Sequence, residues 1–314
     1  MKRISFLLMV VSLLGSCSKN DKVYPVTPAG NPDTLSAGWT LSTGPANTGN
    51  ITDIKFTDPT HGFLTSAAGI FKSADGGITW TPFYSSAGYF SIASLGSNAC
   101  FVNGSNTILH VSNGTTATPV TYSSAQGFSN CFYASPDVCY AINSNSVWKS
   151  NDGGTFFSTQ YTFPTSYTGN AIIMFTDELE GFAARGTALY ATYNGGSSWN
   201  QVATTGSIIT SVLDQNGSYV YYTTSTGLFK SFNGGSTSSS VLQFPAVENA
   251  DIEFVNSTLL YLSAGSVIYK STDGGNTWSK VVSLAPGKNI TKIFFNDLNH
   301  GWACGNFGVL KFSD

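Results

Sequence analysis

Ser73-Ala74-Asp75-Gly76-Gly77-Ile78-Thr79-Trp80 returns as Ser271-Thr272-Asp273-Gly274-Gly275-Asn276-Thr277-Trp278. Weaker copies lie between them: Ser150-Asn151-Asp152-Gly153-Gly154, Thr192-Tyr193-Asn194-Gly195-Gly196 with Trp199, and Ser231-Phe232-Asn233-Gly234-Gly235. A degenerate copy starts at Ser112 with Asn113-Gly114, and a last one, Phe312-Ser313-Asp314, stops with the sequence. The first positions are 73, 112, 150, 192, 231, 271 and 312, in steps of 39, 38, 42, 39, 40 and 41 residues. A period of this length marks a repeat architecture, in which each unit buries its apolar faces only against its neighbours.

Each unit reads as four short strands. Ile51 to Phe56 alternates apolar and polar with period two, and Asp58-Pro59-Thr60-His61-Gly62 turns the chain. Phe63-Leu64-Thr65 and Ile70-Phe71-Lys72-Ser73 are the second and third strands, and the Asp-Gly-Gly turn leads to a fourth carrying Trp80. No 3.6-residue period is sustained beyond the N-terminal segment. The pattern predicts an all-β, seven-bladed β-propeller of four-stranded antiparallel blades. The seventh unit stops before its fourth strand, while Gly38-Trp39-Thr40-Leu41 stands alone upstream and resembles Thr79-Trp80-Thr81. Residues 38–42 are therefore expected to complete the last blade and close the ring, removing the open edges of a linear array.

The repeated segments resemble Asp-boxes, also called bacterial neuraminidase repeats, over 38–314. The phrase Phe-x-Asp-x-x-His-Gly-aromatic, at Phe56 to Phe63 and Phe295 to Trp302, adds a resemblance to propellers of the photosystem II assembly-factor type. In the Asp-box reading, Asp75, Asp152 and Asp273, with Asn194 and Asn233 in their place twice, pin turns by accepting backbone hydrogen bonds. Trp80, Trp199 and Trp278 wedge between sheets. These residues are structural. His61 and His300 occupy one repeated turn position and have no zinc-ligand spacing around them, so no metal and no cofactor is expected.

The N-terminus reads as an address. Lys2 and Arg3 precede the apolar run Ile4 to Leu14, which is too short to span a bilayer. Leu14-Gly15-Ser16-Cys17 resembles the bacterial lipoprotein cleavage motif, which implies a signal peptide at 1–16 and lipid on Cys17. Residues 17–37, with Pro25, Pro28 and Pro32, are expected to form a flexible tether, and Ser18-Lys19-Asn20-Asp21 resembles the export stretch of Bacteroidota lipoproteins. The expected location is the outer membrane, facing the periplasm or the cell surface, with the lipid as the contact to the membrane.

Only 10% of residues are charged, the formal net charge is -3, and no block of like charge exists, which excludes nucleic acid as a partner. Arg3 and Arg185 are the only arginines. The sialidases that share Asp-boxes clamp a carboxylate with three arginines, so that activity is excluded. Xyloglucanase-type hydrolases, the remaining enzymatic alternative, need two carboxylates flanking the scissile bond. No catalytic residue is assigned. The favoured reading is a non-enzymatic binding or scaffolding propeller whose ligand is a protein or a glycan. The loops joining one blade to the next are aromatic, and Arg185 falls in a loop of the same face. Arg185, Tyr84, Tyr89, Tyr122, Tyr161 and Tyr167 are the candidate binding residues. Cys131 and Cys139 flank one predicted hairpin and are a candidate disulfide, the alternative being buried small hydrophobes.

Overall fold

The computed structural model describes residues 32–314 apart from 43, 46–48, 87, 97, 124–126 and 215–218. Residues 1–31, which include the expected signal peptide, Cys17 and the first part of the expected tether, lie outside the described residues. The described chain forms seven antiparallel sheets. Blades one to six span 51–84, 89–121, 128–162, 171–204, 209–243 and 250–283, and blade seven spans 290–313. In each blade the first strand lines the axis, and the fourth lies on the side away from it. The fourth strand of blade seven is Trp39–Ser42, which pairs with Gly308–Ser313 in the register Trp39↔Phe312 to Ser42↔Val309. The ring closes as the repeat count requires.

One boundary moves. Thr34–Leu35, inside the stretch expected as tether, adds a fifth strand to the outer edge of blade six, with Leu35 opposite Val282. Asp33 accepts a hydrogen bond from the Ala285 N–H at 2.7 Å and pairs with Lys288 at 2.5 Å. A chain entering blade seven from outside must pass the free edge of blade six, whose unpaired backbone groups it can satisfy.

Blades are joined by a repeated aromatic contact. Trp302 of blade seven stacks on Phe56 of blade one, with ring centroids 3.6 Å apart. Tyr140 stacks likewise on Phe175, and Tyr261 on Phe295. The polar tip of such a ring then reaches the Gly-Gly turn of the next blade. Trp302 Nε1 donates to Gly76 O at 3.0 Å, Tyr140 Oη to Gly195 O at 3.1 Å, and Tyr221 Oη to Gly274 O at 2.7 Å. This explains the second glycine. Gly275 has φ +79°, and a Cβ there would lie 2.9 Å from the Tyr221 ring. The turn needs both the left-handed backbone and the missing side chain.

Within the turn, the carboxylate of Asp75 accepts from Thr79 N at 2.9 Å, from Ser73 Oγ at 2.9 Å and from Thr79 Oγ1 at 2.5 Å. Asn233 keeps the geometry with one bond reversed: its Oδ1 accepts from Thr237 N at 2.8 Å, and its amide donates to Thr237 Oγ1 at 2.9 Å. The hydroxyl is an acceptor in one case and a donor in the other, which is why either residue serves.

The Cys131–Cys139 pairing does not hold. Cys131 lies opposite Ala141 and Cys139 opposite Tyr133, two rungs apart, and all four described cysteines are buried free thiols. Burial pushes Cys131 and Cys139 well above the usual thiol range. Cys100 fills the place that an aromatic ring takes in other blades, and its sulfur lies 3.3 Å from Tyr133 Oη.

Two outcomes are expected. Trp39 is 4% exposed and contacts the rings of Tyr261, Phe295 and Phe312, so Trp39→Ala should destabilise the whole domain by about 3–5 kcal/mol. Urea unfolding should remain one transition at a lower midpoint; loss confined to a separate early phase contradicts ring closure. Asp75→Ala should cost about 1 kcal/mol by thermal denaturation and Asp75→Asn less than half of that, since Asn194 and Asn233 already fill the position.

Candidate binding face

The propeller has two unlike faces. The turns between first and second strands and those between third and fourth strands share one of them. Backbone bonds prove it: Gly76 N donates to Thr60 O, Gly195 N to Leu179 O, and Gly274 N to Thr258 O, each at 2.8–2.9 Å. We call this the turn face. The opposite, crossover face carries the second-to-third hairpins and the links between blades.

The residues expected to bind belong to the crossover face and are mostly packed into it. Arg185 is 4% exposed. Its Nε donates to Ser144 O at 2.8 Å and its Nη2 to Thr165 O at 2.7 Å, while the guanidinium lies 4.1 Å from the Phe163 ring centroid. Burial lowers its pKa. It is a staple between blades three and four, not an exposed clamp. Tyr89 and Tyr122 are buried, and Tyr122 Oη accepts from Phe157 N at 3.1 Å. Tyr84, Tyr161 and Tyr167 are half-buried: Tyr84 edges onto Tyr89, Tyr161 onto Phe163, and Tyr167 packs under Gly186. Crossovers lie over the gaps between blades, so their rings turn inward. Trp199 and Trp278, each bonded to its own turn through Nε1, and Trp80 play the wedge role.

The open chemistry lies on the turn face. A cavity of about 620 Å³ runs along the axis, lined by the first strands of all seven blades from their middle to their C-terminal ends, and so opens there. Its deeper tier is a girdle. Asp53 accepts from Ile92 N at 2.7 Å, Asn130 from Ile173 N at 3.0 Å, and Asp251 from Ile293 N at 3.1 Å, each on the neighbouring blade. Lys292 Nζ lies 3.1 Å from Asp251. Burial pulls the Lys292 pKa down, but Asp251 and Asp53 outweigh it and hold the ammonium charged. Burial raises the pKa of Asp53 against the pull of Lys292 and Lys55.

Glu253, two residues beyond Asp251, occupies the tier nearer the mouth. None of the described residues donates it a hydrogen bond. Burial pushes its carboxyl up to about 7, partly offset by Lys55. A second cavity, of about 480 Å³, opens on this face beside Asp58, His61, Lys72 and Gly114. His61 and His300 are each closed on the aspartate of their own turn, at 2.9 and 2.8 Å.

The exposed apolar side chains collect on the same face. Ten large hydrophobic residues are exposed among those described, and eight sit on turn-face hairpins. Ile78, Phe156, Tyr193 and Phe232 occupy third-to-fourth turns. Leu95, Leu179, Tyr219 and Leu298 occupy first-to-second turns. Leu41 and Ile208 are the two elsewhere. Sequence reading passed over these residues, several of which, such as Ile78, Tyr193 and Phe232, stand inside segments explained as turns.

No protein-family model and no curated protein matches the sequence. Solved structures do. YCF48 bound to D1 peptide superposes with TM-score 0.72 at 19% identity, covering 92% of this chain and 99% of that one. YCF48 from Cyanidioschyzon merolae gives 0.70 at 21% identity, over 88% and 99%. A GH74 xyloglucanase from Xanthomonas campestris gives 0.70 at 14% identity, over 86% of this chain and 52% of that one. These likenesses are of fold.

Glu253 predicts a pH dependence. Its pKa is about 7 when folded and about 4.3 when unfolded, so between these values only the folded state holds the proton. Its contribution to stability is complete at the acid end of that window and is lost as pH rises through 7. The melting temperature should be higher at pH ~5 than at pH ~7.5, and Glu253→Gln should abolish most of the difference. An unchanged difference in the variant contradicts the assignment.

Proposed function

We propose that this chain is a non-enzymatic, lipid-anchored propeller of the bacterial cell envelope that binds a protein through its turn face. One observation carries the reading: the exposed apolar side chains collect on the face into which the axial cavity opens rather than being divided between the two faces. Scattered exposed leucines need no account, whereas a concentration on one face marks an interaction site. In YCF48, a propeller of the same fold, the bound molecule is a peptide. The assembly-factor resemblance points the same way, toward docking rather than chemistry.

Asp33 is bonded to Ala285 and Lys288, in the crossover between blades six and seven, so the chain enters the propeller on the face opposite the cavity mouth. Fifteen residues lie between Cys17 and Asp33, a span of at most ~55 Å of extended chain. A lipid on Cys17 would tether the domain to an outer-membrane surface through this entry point. A glycan partner and a xyloglucanase-like hydrolase are the competing readings. The axial carboxylates give the second little support, since Asp53 and Asp251 are occupied by backbone N–H groups.

Photo-crosslinking in cells tests the reading. A benzophenone amino acid at Phe232 or Leu179 should yield discrete protein adducts, and the same probe at Leu41 or Ile208 should not. Equal adducts from all four positions, or none from the first two, overturns the turn face as the binding surface.

A further inference from the structure

The turns of blades three to five carry a particular combination of side chains. Phe156, Leu179, Tyr193 and Phe232 are 60%, 59%, 52% and 59% exposed. Tyr219 meets Phe232 edge-on, with centroids 5.5 Å apart. Between these apolar groups every exposed charge on the described turns is a carboxylate: Asp137, Asp152, Asp177 and Glu178. Two of them are locked in place. Asp152 accepts from Phe156 N at 3.0 Å, and Asp177 accepts from Leu179 N at 2.7 Å and Glu180 N at 2.8 Å. Each fixed carboxylate thus stands beside an exposed apolar side chain.

Two lysines lie near this sector, and each rests against a ring: Lys149, half-buried, is 5.3 Å from the Tyr140 ring centroid. Lys230 is 6% exposed, donates to Gly274 O at 2.8 Å and lies 4.8 Å from the Phe232 ring centroid. It supports the ring from beneath and does not neutralise the surface. An apolar surface studded with fixed anions repels an acidic partner and leaves its own carboxylates unpaired against a neutral one. A second copy of this chain fits poorly, because its 17 Asp and Glu exceed its 14 Lys and Arg.

We propose that this sector docks a basic, apolar peptide segment of a partner protein. Its lysines or arginines pair with Asp152, Asp177 and Glu178, and its aliphatic or aromatic side chains pack on Leu179, Tyr193 and Phe232. The inference rests on the binding role proposed above and adds the chemistry of the partner.

Panning a display library of random peptides against the full chain tests it. Enriched peptides should interleave Lys or Arg with aromatic and aliphatic residues. A synthetic peptide from that set should bind at least tenfold more weakly to Asp177→Asn/Glu178→Lys, and at least tenfold more weakly to Leu179→Ser/Phe232→Ser. These residues are exposed, so both variants should keep the parent melting temperature, which separates lost contacts from lost folding. Enrichment of acidic or uncharged peptides, no enrichment, or binding unchanged in either variant overturns the proposal. A crosslinked partner at Phe232 whose captured segment lacks basic residues removes this inference and leaves the binding role standing. Absence of both adducts and enrichment removes both.

Discussion

An aromatic ring reaching from one blade into the Gly-Gly turn of the next is the contact on which the assembly depends. Trp302, Tyr140 and Tyr221 each pack a face or edge on a phenylalanine of the following blade and place a donor on a glycine carbonyl there. The same turn carbonyls receive lysines from the preceding blade, as Lys72 does at Gly114 and Lys230 at Gly274. Sheets that twist against one another bury apolar area in any propeller. These directional bonds fix the angle and the order of the blades, because a donor left without its carbonyl inside the packed wall costs more than the bond itself contributes.

The axis follows a second rule. Inner strands are sheet edges, and their inward N–H groups have no strand to pair with. Asp53, Asn130 and Asp251 supply the missing acceptors across neighbouring blades, which accounts for carboxylates deep in the ring without invoking catalysis. Glu253 stands outside this arrangement. With no donor of its own among the described residues, it takes the burial cost directly, and its proton affinity rises.

The difference between the two faces is geometric. A crossover spans the gap between adjacent blades, and any ring on it finds apolar walls below, as Tyr122 and Phe163 do. A hairpin tip projects past the last rung of its sheet and has no such gap to fill. Tyr193 and Phe232 stand just before the turn asparagines, and Phe156 follows its turn aspartate; those side chains pin the backbone, and the three rings remain exposed.

The repeat, its seven-fold count, the four strands of each blade and the closure by Trp39–Ser42 were legible in the sequence. They depend on local periodicity and turn chemistry, which neighbouring residues carry by themselves. The Ser-x-Asp-Gly-Gly turns were legible for the same reason, including the tolerance of asparagine at Asn194 and Asn233. The candidate site was not. Arg185 and the crossover tyrosines look available in one dimension, and only the packing of two blades reveals that Ser144, Thr165 and Phe163 already hold the guanidinium. The disulfide failed on register, a property of paired strands rather than of spacing along one chain. Which face stays exposed, and where the acids of seven separate strands converge, are decided when the ring closes, because residues about forty apart in sequence become neighbours only then.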